Sequence, residues 1–148
     1  MHHIRLATEK DLPAIHALVR ELAIYEKAEE EFTASLEDYL RDFRAGIFEC
    51  LVAEVEGEVV GMALYYMTYS TWKGRMLYLE DFVVKEQMRA QGIGRELFSA
   101  FLAKAKEKDC RLVKWQVLDW NEPAIHFYKK FQTTFENNWL NGKIFLVK

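Results

Sequence analysis

A loop with two glycines is the strongest chemical signal in the sequence. It lies between a β-type run and a stretch with helical spacing, and it reads Arg89-Ala90-Gln91-Gly92-Ile93-Gly94-Arg95. Backbone N–H groups in such a loop converge at the positive end of a helix dipole, which suits a phosphate or pyrophosphate. The loop fits neither the Walker sequence nor G-x-G-x-x-G, because Leu97 stands where the third glycine would be. For this segment alone, an ordinary helix start is the alternative.

Two adjacent carboxylates, Glu80 and Asp81, lie near the end of a β-type run. Regular strand alternation sends neighbouring side chains to opposite faces, so both would line one pocket only if the strand bulges there. From the residues alone, two solvated carboxylates at a strand end are the alternative interpretation.

Two further groups of residues have chemical potential. An acidic cluster follows Tyr25 and consists of Glu26, Glu29, Glu30 and Glu31, for which a solvated face is the default explanation. Near the end of the chain, Asn121-Glu122-Pro123-Ala124 is typical of a capped helix start, with Pro123 in the first turn. Tyr128 lies seven residues after Asn121, where a tyrosine is most often a packing residue.

Apolar periodicity predicts the elements that must position these residues. Residues at helical spacing predict four helices, over Leu12–Leu22, Leu36–Phe43, Ile93–Ala105 and Glu122–Phe131. Runs of β-branched and aromatic residues predict strands at Ile4–Leu6, Phe48–Val55, Val59–Tyr69, Met76–Val84 and Arg111–Leu118, with weak strands around Phe135 and Lys143–Val147.

The connections between these runs predict the topology. Glu56-Gly57 is a two-residue turn and predicts an antiparallel hairpin. A strand–helix–strand unit follows and predicts parallel pairing through a right-handed crossover. The expected fold is α/β, one domain over residues 1–148, with a mixed sheet that is antiparallel first and parallel at its centre.

Composition limits the class of protein. The chain has 148 residues, 51% of them hydrophobic and 29% charged, which excludes a disordered or low-complexity chain. The net charge of −3 gives no electrostatic basis for binding nucleic acid. No apolar run is long enough for a membrane span or a signal-peptide core, so we expect a cytoplasmic protein without a membrane partner. Cys50 and Cys110 are interpreted as reduced thiols.

The order of these motifs resembles one enzyme family. R-x-x-G-x-G between a strand and a helix resembles the acetyl-CoA loop of the GCN5-related N-acetyltransferase (GNAT) superfamily. Four runs are similar to its spermidine/spermine and thialysine N-acetyltransferase branch: Glu21–Glu26, Tyr78–Val84, Arg89–Gly94 and Trp120–Lys130. The resemblance implies a GNAT acyl-CoA N-acyltransferase fold with a splayed parallel pair of strands, and a homodimer. The end of the chain, Phe135–Lys148, matches poorly; Trp139 and Phe145 there are interface anchors or core residues.

The resemblance also assigns roles to residues. It implies acetyl-CoA as co-substrate and no metal, with Glu80 as a base acting through water and Tyr128 as the acid beside the coenzyme sulfur. The coenzyme would bind the backbone of Phe82, Val83 and Val84, the loop residues Arg89, Ala90, Gln91, Gly92, Ile93, Gly94 and Arg95, and Asn121, Glu122, Pro123, Ala124 and Tyr128. The amine would face Tyr25, Glu26, Trp72, Glu80 and Asp81.

The chemistry of amide formation is consistent with these assignments. An amine with a pKa of ~10.4 is unprotonated in only about one molecule in 2,500 at pH 7, so a base must remove a proton and an acid must return one to the leaving thiolate. The sequence holds no legible Ser-His-Asp or Cys-His arrangement, which favours direct transfer. We therefore expect an N-acetyltransferase for a small cationic amine: a polyamine, a diamine or a thialysine-like amino acid. The alternatives are acetylation of a protein N-terminus or another small amine, and a non-catalytic acyl-CoA-binding module.

Overall fold

A computed structural model describes residues 2–147 and divides the chain into two compact units, Met1–Gln116 and Val117–Lys148. The first unit contains β1 (His2–Leu6), α1 (Leu12–Tyr25), α2 (Leu36–Arg44), β2 (Glu49–Val55), β3 (Glu58–Ser70), β4 (Gly74–Val84), α3 (Ile93–Glu107) and β5 (Leu112–Trp115). The second unit contains α4 (Glu122–Lys129). The assignment of the whole chain to a single domain stays a prediction.

The strands form one mixed sheet in the order β1-β2-β3-β4-β5. The pairs from β1 to β4 are antiparallel, and β4–β5 is parallel. The α/β class and the change from antiparallel to parallel pairing are therefore confirmed. The predicted central place of the parallel pair is wrong, because β5 is the last strand of the described sheet.

The end of the chain explains this difference. The two weak strands predicted around Phe135 and at Lys143–Val147 do not form within the described residues. A β-type sequence becomes a strand only when another strand pairs with it. Trp139 and Phe145 are exposed, which contradicts a core role, and a role as interface anchors stays a prediction.

Local sequence signals account for the turns and helix starts. Glu56 and Gly57 both have positive φ, at 51° and 79°, as a type I′ hairpin turn requires. Ser35 caps α2 by accepting a hydrogen bond from the Asp38 N–H at 3.1 Å, while Asp38 accepts from the Ser35 N–H at 2.9 Å. Among residues 2–147, no helix combines the length and apolar character needed to cross a membrane.

The sheet buries a different core on each face. Leu12, Ile15 and Leu18 of α1 pack on one face, against a group of buried strand residues that includes Cys50, Val52, Met62, Leu64 and Val83. On the other face α3 supplies Phe98 and Phe101. The Phe101 ring centre lies 5.6 Å from that of Tyr65, and the Phe98 ring centre lies 5.7 Å from that of Phe82. The two faces of β4 therefore meet different environments.

Candidate active site

A bulge interrupts β4 at the acidic pair. Leu64 pairs with Asp81 and Tyr65 pairs with Leu79, so Glu80 is one extra residue on β4. The extra residue shifts the alternation by one position, which places Asp81 opposite Leu64 on the sheet face that α1 covers. Glu80 accepts a hydrogen bond at 2.6 Å from the hydroxyl of Tyr66, two residues along β3 from Leu64. The expected bulge is confirmed, and both carboxylates share one face.

Asp81 has the most perturbed carboxyl group of this site. Burial, together with the negative charges of Glu80 and Glu26, raises its pKa from 3.8 to about 7. Glu26, the residue that follows α1, is half-buried, and this burial raises the pKa of its own carboxyl. The charges of Glu80 and Glu26 therefore both act on Asp81.

Three tyrosines share this electrostatic environment. Burial raises the pKa of the Tyr39 phenol on α2, and the charges of Asp81 and Glu80 add to the effect. Burial, followed by the hydrogen bond to Glu80, raises the pKa of Tyr66. The Tyr66 ring stacks on that of Tyr78 with centres 5.5 Å apart. Sequence reasoning missed all three phenols at the site; the cross-strand pairing of Tyr66 with Tyr78 is the signal that identifies two of them.

The structure separates the acidic cluster into two parts. Glu29, Glu30 and Glu31 form an exposed 3-10 turn, as expected for a solvated acidic face. Glu26 instead acts on Asp81. Tyr25 is the last residue of α1 and is 44% exposed. The substrate contacts assigned to Tyr25 and Glu26 stay predictions.

Trp72 lies far from the acidic pair of the same chain, and its substrate contact stays a prediction. It is in the turn between β3 and β4 and is 83% exposed. Glu80 lies six residues beyond Gly74, the first residue of β4. At a rise of about 3.3 Å per residue, this separates the turn from the bulge by roughly 20 Å.

The predicted coenzyme-binding segment of β4 lies beyond the end of its parallel neighbour. Pairing of β4 with β5 ends at Leu79 and Trp115, while β4 continues through Val84 in register with β3. Phe82 packs toward α3, and Val83 and Val84 are buried. A β4 edge that runs beyond β5 fits an extended ligand such as a pantetheine arm, because a strand edge carries backbone donors and acceptors.

The glycine loop connects this strand to α3. Arg89 donates from Nε to the Val84 carbonyl at 3.0 Å, which holds the loop against the end of β4. Ala90 and Gly92 have positive φ, at 64° and 82°. A Cβ at Gly92 would meet nothing within 4 Å, so backbone conformation rather than space favours glycine there.

The last three residues of the predicted loop form the first turn of α3. They are Ile93, Gly94 and Arg95, and the intrahelical bond from the Glu96 N–H to the Gly92 carbonyl follows them at 3.1 Å. The first N–H groups of a helix have no intrahelical acceptor. The loop and helix start therefore fit the phosphate groups of a nucleotide-containing ligand.

The second unit contains the remaining predicted residues. Asn121 is buried and caps α4, accepting from the Ala124 N–H at 3.4 Å, with Pro123 in the first turn. Tyr128 is also buried, and its ring centre lies 5.5 Å from that of Phe127. The cap is confirmed. The coenzyme contacts of Asn121–Ala124 and the acid role of Tyr128 stay predictions.

Comparison with known proteins decides the family. Residues 12–132 match the Acetyltransferase (GNAT) family. The chain is a GNAT acetyltransferase. Bovine (Bos taurus) thialysine N-epsilon-acetyltransferase is 44% identical over 137 residues, which cover 85% of this chain and 80% of that protein. Human (Homo sapiens) spermidine/spermine N(1)-acetyltransferase-like protein 1 is 36% identical over 134 residues, which cover 84% of this chain and 19% of that longer protein.

Solved structures support the GNAT fold. An aminoglycoside acetyltransferase from an uncultured soil metagenomic sample, in complex with trehalose, superposes with a TM-score of 0.81 at 23% identity. The match covers 99% of this chain and 97% of that one. The predicted family, fold and enzyme class are thus confirmed. Enzymes of the GNAT family take their acetyl group from acetyl-CoA. Within residues 2–147, the structure groups no three His, Cys, Asp or Glu side chains as a metal ion would require.

Proposed function

We propose that this GNAT acetyltransferase moves the acetyl group of acetyl-CoA directly to a primary amine of a small cation. Polyamines, diamines and thialysine-like amino acids are the expected class. The bulge at Glu80 carries the proposal, because it gathers Glu80 and Asp81 on one sheet face within the field of Glu26. The names of the bovine and human relatives agree with a substrate of this kind.

Electrostatics favour a substrate with more than one positive charge. Carboxylates attract ammonium groups, and each pair near a protein surface contributes on the order of 1–4 kcal/mol at contact. Aromatic faces such as those of Tyr66 and Tyr78 also attract cations. One ammonium would bind at Glu80 and Asp81, and a second charge would reach the acidic end of α1 around Glu26.

The co-substrate would bind C-terminal to the bulge, along the second half of β4 and the loop that follows it. Acetyl-CoA supplies an activated thioester, and the residues proposed to hold it are the β4 backbone at Phe82–Val84, the loop Arg89–Gly92 and the start of α3. The helix start binds phosphate through backbone N–H groups. One β4 N–H would stabilise the thioester oxygen as charge develops on it.

Tyr128 is proposed as the acid that protonates the leaving sulfur. Replacement by phenylalanine keeps the ring and removes the hydroxyl, so Tyr128→Phe should lower kcat about 10²–10⁴-fold while leaving coenzyme affinity unchanged. Steady-state kinetics and calorimetry with coenzyme A measure the two quantities separately. Unchanged turnover would remove Tyr128 from the acid role.

A thiol-release assay with a panel of amines tests the function. The panel holds acetyl-CoA and pH constant and compares spermidine, putrescine, thialysine, benzylamine as an amine with a single positive charge, and a short peptide with a free N-terminus. We expect the multiply charged amines to give the highest kcat/KM. Preference for the peptide would replace the proposal with N-terminal acetylation, and release with none of them would overturn it.

The setting of the enzyme is also proposed. We expect a homodimer in the cytoplasm, with small molecules rather than nucleic acid or membrane as partners. The exposed apolar side chains at the end of the chain, among them Trp139, Leu140 and Phe145, support an interface with a second copy. Analytical ultracentrifugation of the intact protein measures the oligomeric state, and a monomer at micromolar concentration would contradict the dimer.

A further inference from the structure

The two carboxylates at the bulge have different surroundings. Glu80 is exposed, and its Oε1 accepts a hydrogen bond from the Tyr66 hydroxyl at 2.6 Å. Asp81 is half-buried, opposite the buried Leu64 in the β3–β4 pairing. One carboxylate is therefore solvated and hydrogen-bonded, and its neighbour lies against apolar core.

We propose that Asp81 takes the proton from the substrate ammonium, while Glu80 binds the positive charge. This inference depends on the proposed function. It moves the role of base, which the resemblance assigned to Glu80, to its neighbour Asp81. The bulge is essential to it, because regular alternation would turn one of the two side chains to the opposite face of the sheet.

Titratable groups on β4 and on neighbouring elements interact electrostatically with Asp81. They are Glu80 on β4 itself, Glu26 at the end of α1, Tyr39 on α2, Cys50 on β2 and Tyr66 on β3. Burial acts first, and the charges of Glu80 and Glu26 follow, so the pKa of Asp81 lies at about 7 in place of 3.8. An acceptor with a pKa near the working pH is the most effective base.

The raised pKa makes Asp81 a much stronger base than an ordinary aspartate. Each pKa unit is a tenfold change in the equilibrium for proton transfer, so a pKa of about 7 rather than 3.8 favours deprotonation of an amine about a thousandfold. A solvated carboxylate in contact with the same ammonium contributes attraction without this gain. The pair therefore divides substrate binding and proton transfer between Glu80 and Asp81.

The protons balance in this scheme. One N–H bond of the ammonium breaks, the proton moves to a carboxylate oxygen of Asp81, and the freed lone pair forms the new C–N bond. As the thioester C–S bond breaks, the nitrogen loses its second proton and the sulfur gains one, leaving an amide and a thiol. Asp81 then returns its proton to water, so each turnover releases one proton.

The pH dependence of kcat/KM separates Asp81 from Glu80. In the wild type, kcat/KM for the best amine should rise through an acidic limb near pH 7, which reports the free enzyme. Asp81→Asn should remove this limb and lower kcat about 10²–10⁴-fold. Glu80→Gln should keep the limb, move it to lower pH because a neighbouring negative charge is gone, and raise KM about tenfold.

Glu29→Gln is the matched control, because Glu29 is an exposed carboxylate outside the site; its profile should equal that of the wild type. The opposite pattern, in which Glu80→Gln removes the limb and Asp81→Asn keeps it, would overturn the assignment and return the base role to Glu80. A wild type that acetylates no amine would overturn the proposed function first, and this inference with it.

A second measurement reads the carboxyl group directly and needs no turnover. Carboxyl ¹³C NMR of the free protein should show a group titrating near pH 7 in the wild type, absent in Asp81→Asn and shifted to lower pH in Glu80→Gln. Circular dichroism checks that the variants fold. If Asp81→Asn does not fold, the shift of the titration to lower pH in Glu80→Gln tests the assignment by itself. No carboxyl titrating between about pH 6 and 8 in the wild type would overturn the proposal.

Discussion

The two faces of β4 differ sharply, although they belong to one strand. Toward α3, Phe82 meets Phe98, which also packs on Trp115 with ring centres 5.4 Å apart. Toward α1, the strand presents Glu80 and Asp81 to carboxyl and phenol groups. One extra residue makes this possible, because it places two consecutive acidic side chains on one face and lets the aromatic core resume on the other. At the bulge, the comparison therefore separates an aromatic core toward α3 from an acidic site toward α1.

The largest expected effect is on the aromatic side. Phe98 is fully buried, so Phe98→Ala should lower the free energy of unfolding by about 3–5 kcal/mol through lost contacts and a cavity. Denaturant unfolding measures the loss. Tyr66→Phe, on the polar side, is the control and should change stability by about 1 kcal/mol. An equal loss of unfolding free energy in the two variants would show that the two faces of β4 do not differ in their contribution to stability.

The pH dependence of stability gives the next effect. Because the folded protein holds the Asp81 proton more tightly than the unfolded chain does, the free energy of unfolding should fall as pH rises from about 4 to about 7, and then level off. Asp81→Asn removes this penalty, so the variant should be about 2–4 kcal/mol more stable than the wild type at pH 8. Denaturant unfolding at pH 5 and pH 8 measures this difference. A variant that is less stable than the wild type at pH 8 would contradict the raised pKa of Asp81.

Deletion of Glu80 tests the bulge itself. Without the extra residue β4 alternates regularly, with Leu79 and Phe82 still toward α3 and Asp81 still toward α1. The fold should persist, while kcat/KM for a diamine should fall about a hundredfold or more, since the paired carboxylates are lost. Glu80→Ala keeps the extra residue and should lose less. A deletion variant that is no worse than Glu80→Ala would show that the bulge has no role beyond carrying the carboxylate.

Salt produces the smallest effect. Ion pairs at exposed groups are screened, so raising ionic strength from about 0.05 to 0.5 M should raise KM for a dication several-fold and change kcat little. A neutral amine in the same assay is the control and should show a flat KM. A KM for the dication that is independent of salt would argue against electrostatic recognition at Glu26, Glu80 and Asp81.

Most of the helices and strands could be predicted from the sequence, and so could the need for a bulge at the acidic pair. Adjacent Glu80 and Asp81 required a bulge if they were to share a face, and the register confirms it. Tyr66 and Tyr39 were missed, because which side chains meet across strands and helices depends on register rather than on local spacing. A long strand separates the turn that holds Trp72 from the bulge of the same chain, so local spacing does not test its predicted substrate contact.

The end of the chain was the least predictable part. Apolar residues at 143–147 have strand propensity, yet the described chain there is irregular and exposed. Propensity describes how a residue fits a paired surface, and it does not supply the partner strand. The family match, which ends at residue 132, leaves out the same segment.

A crystal structure of the enzyme with coenzyme A and a diamine tests the central claim most directly. The amine nitrogen that faces the coenzyme sulfur should lie within about 3 Å of an Asp81 carboxylate oxygen, with Glu80 contacting the same ammonium from the exposed side. An amine bound away from the bulge, or an Asp81 side chain turned from it, would contradict the proposed site.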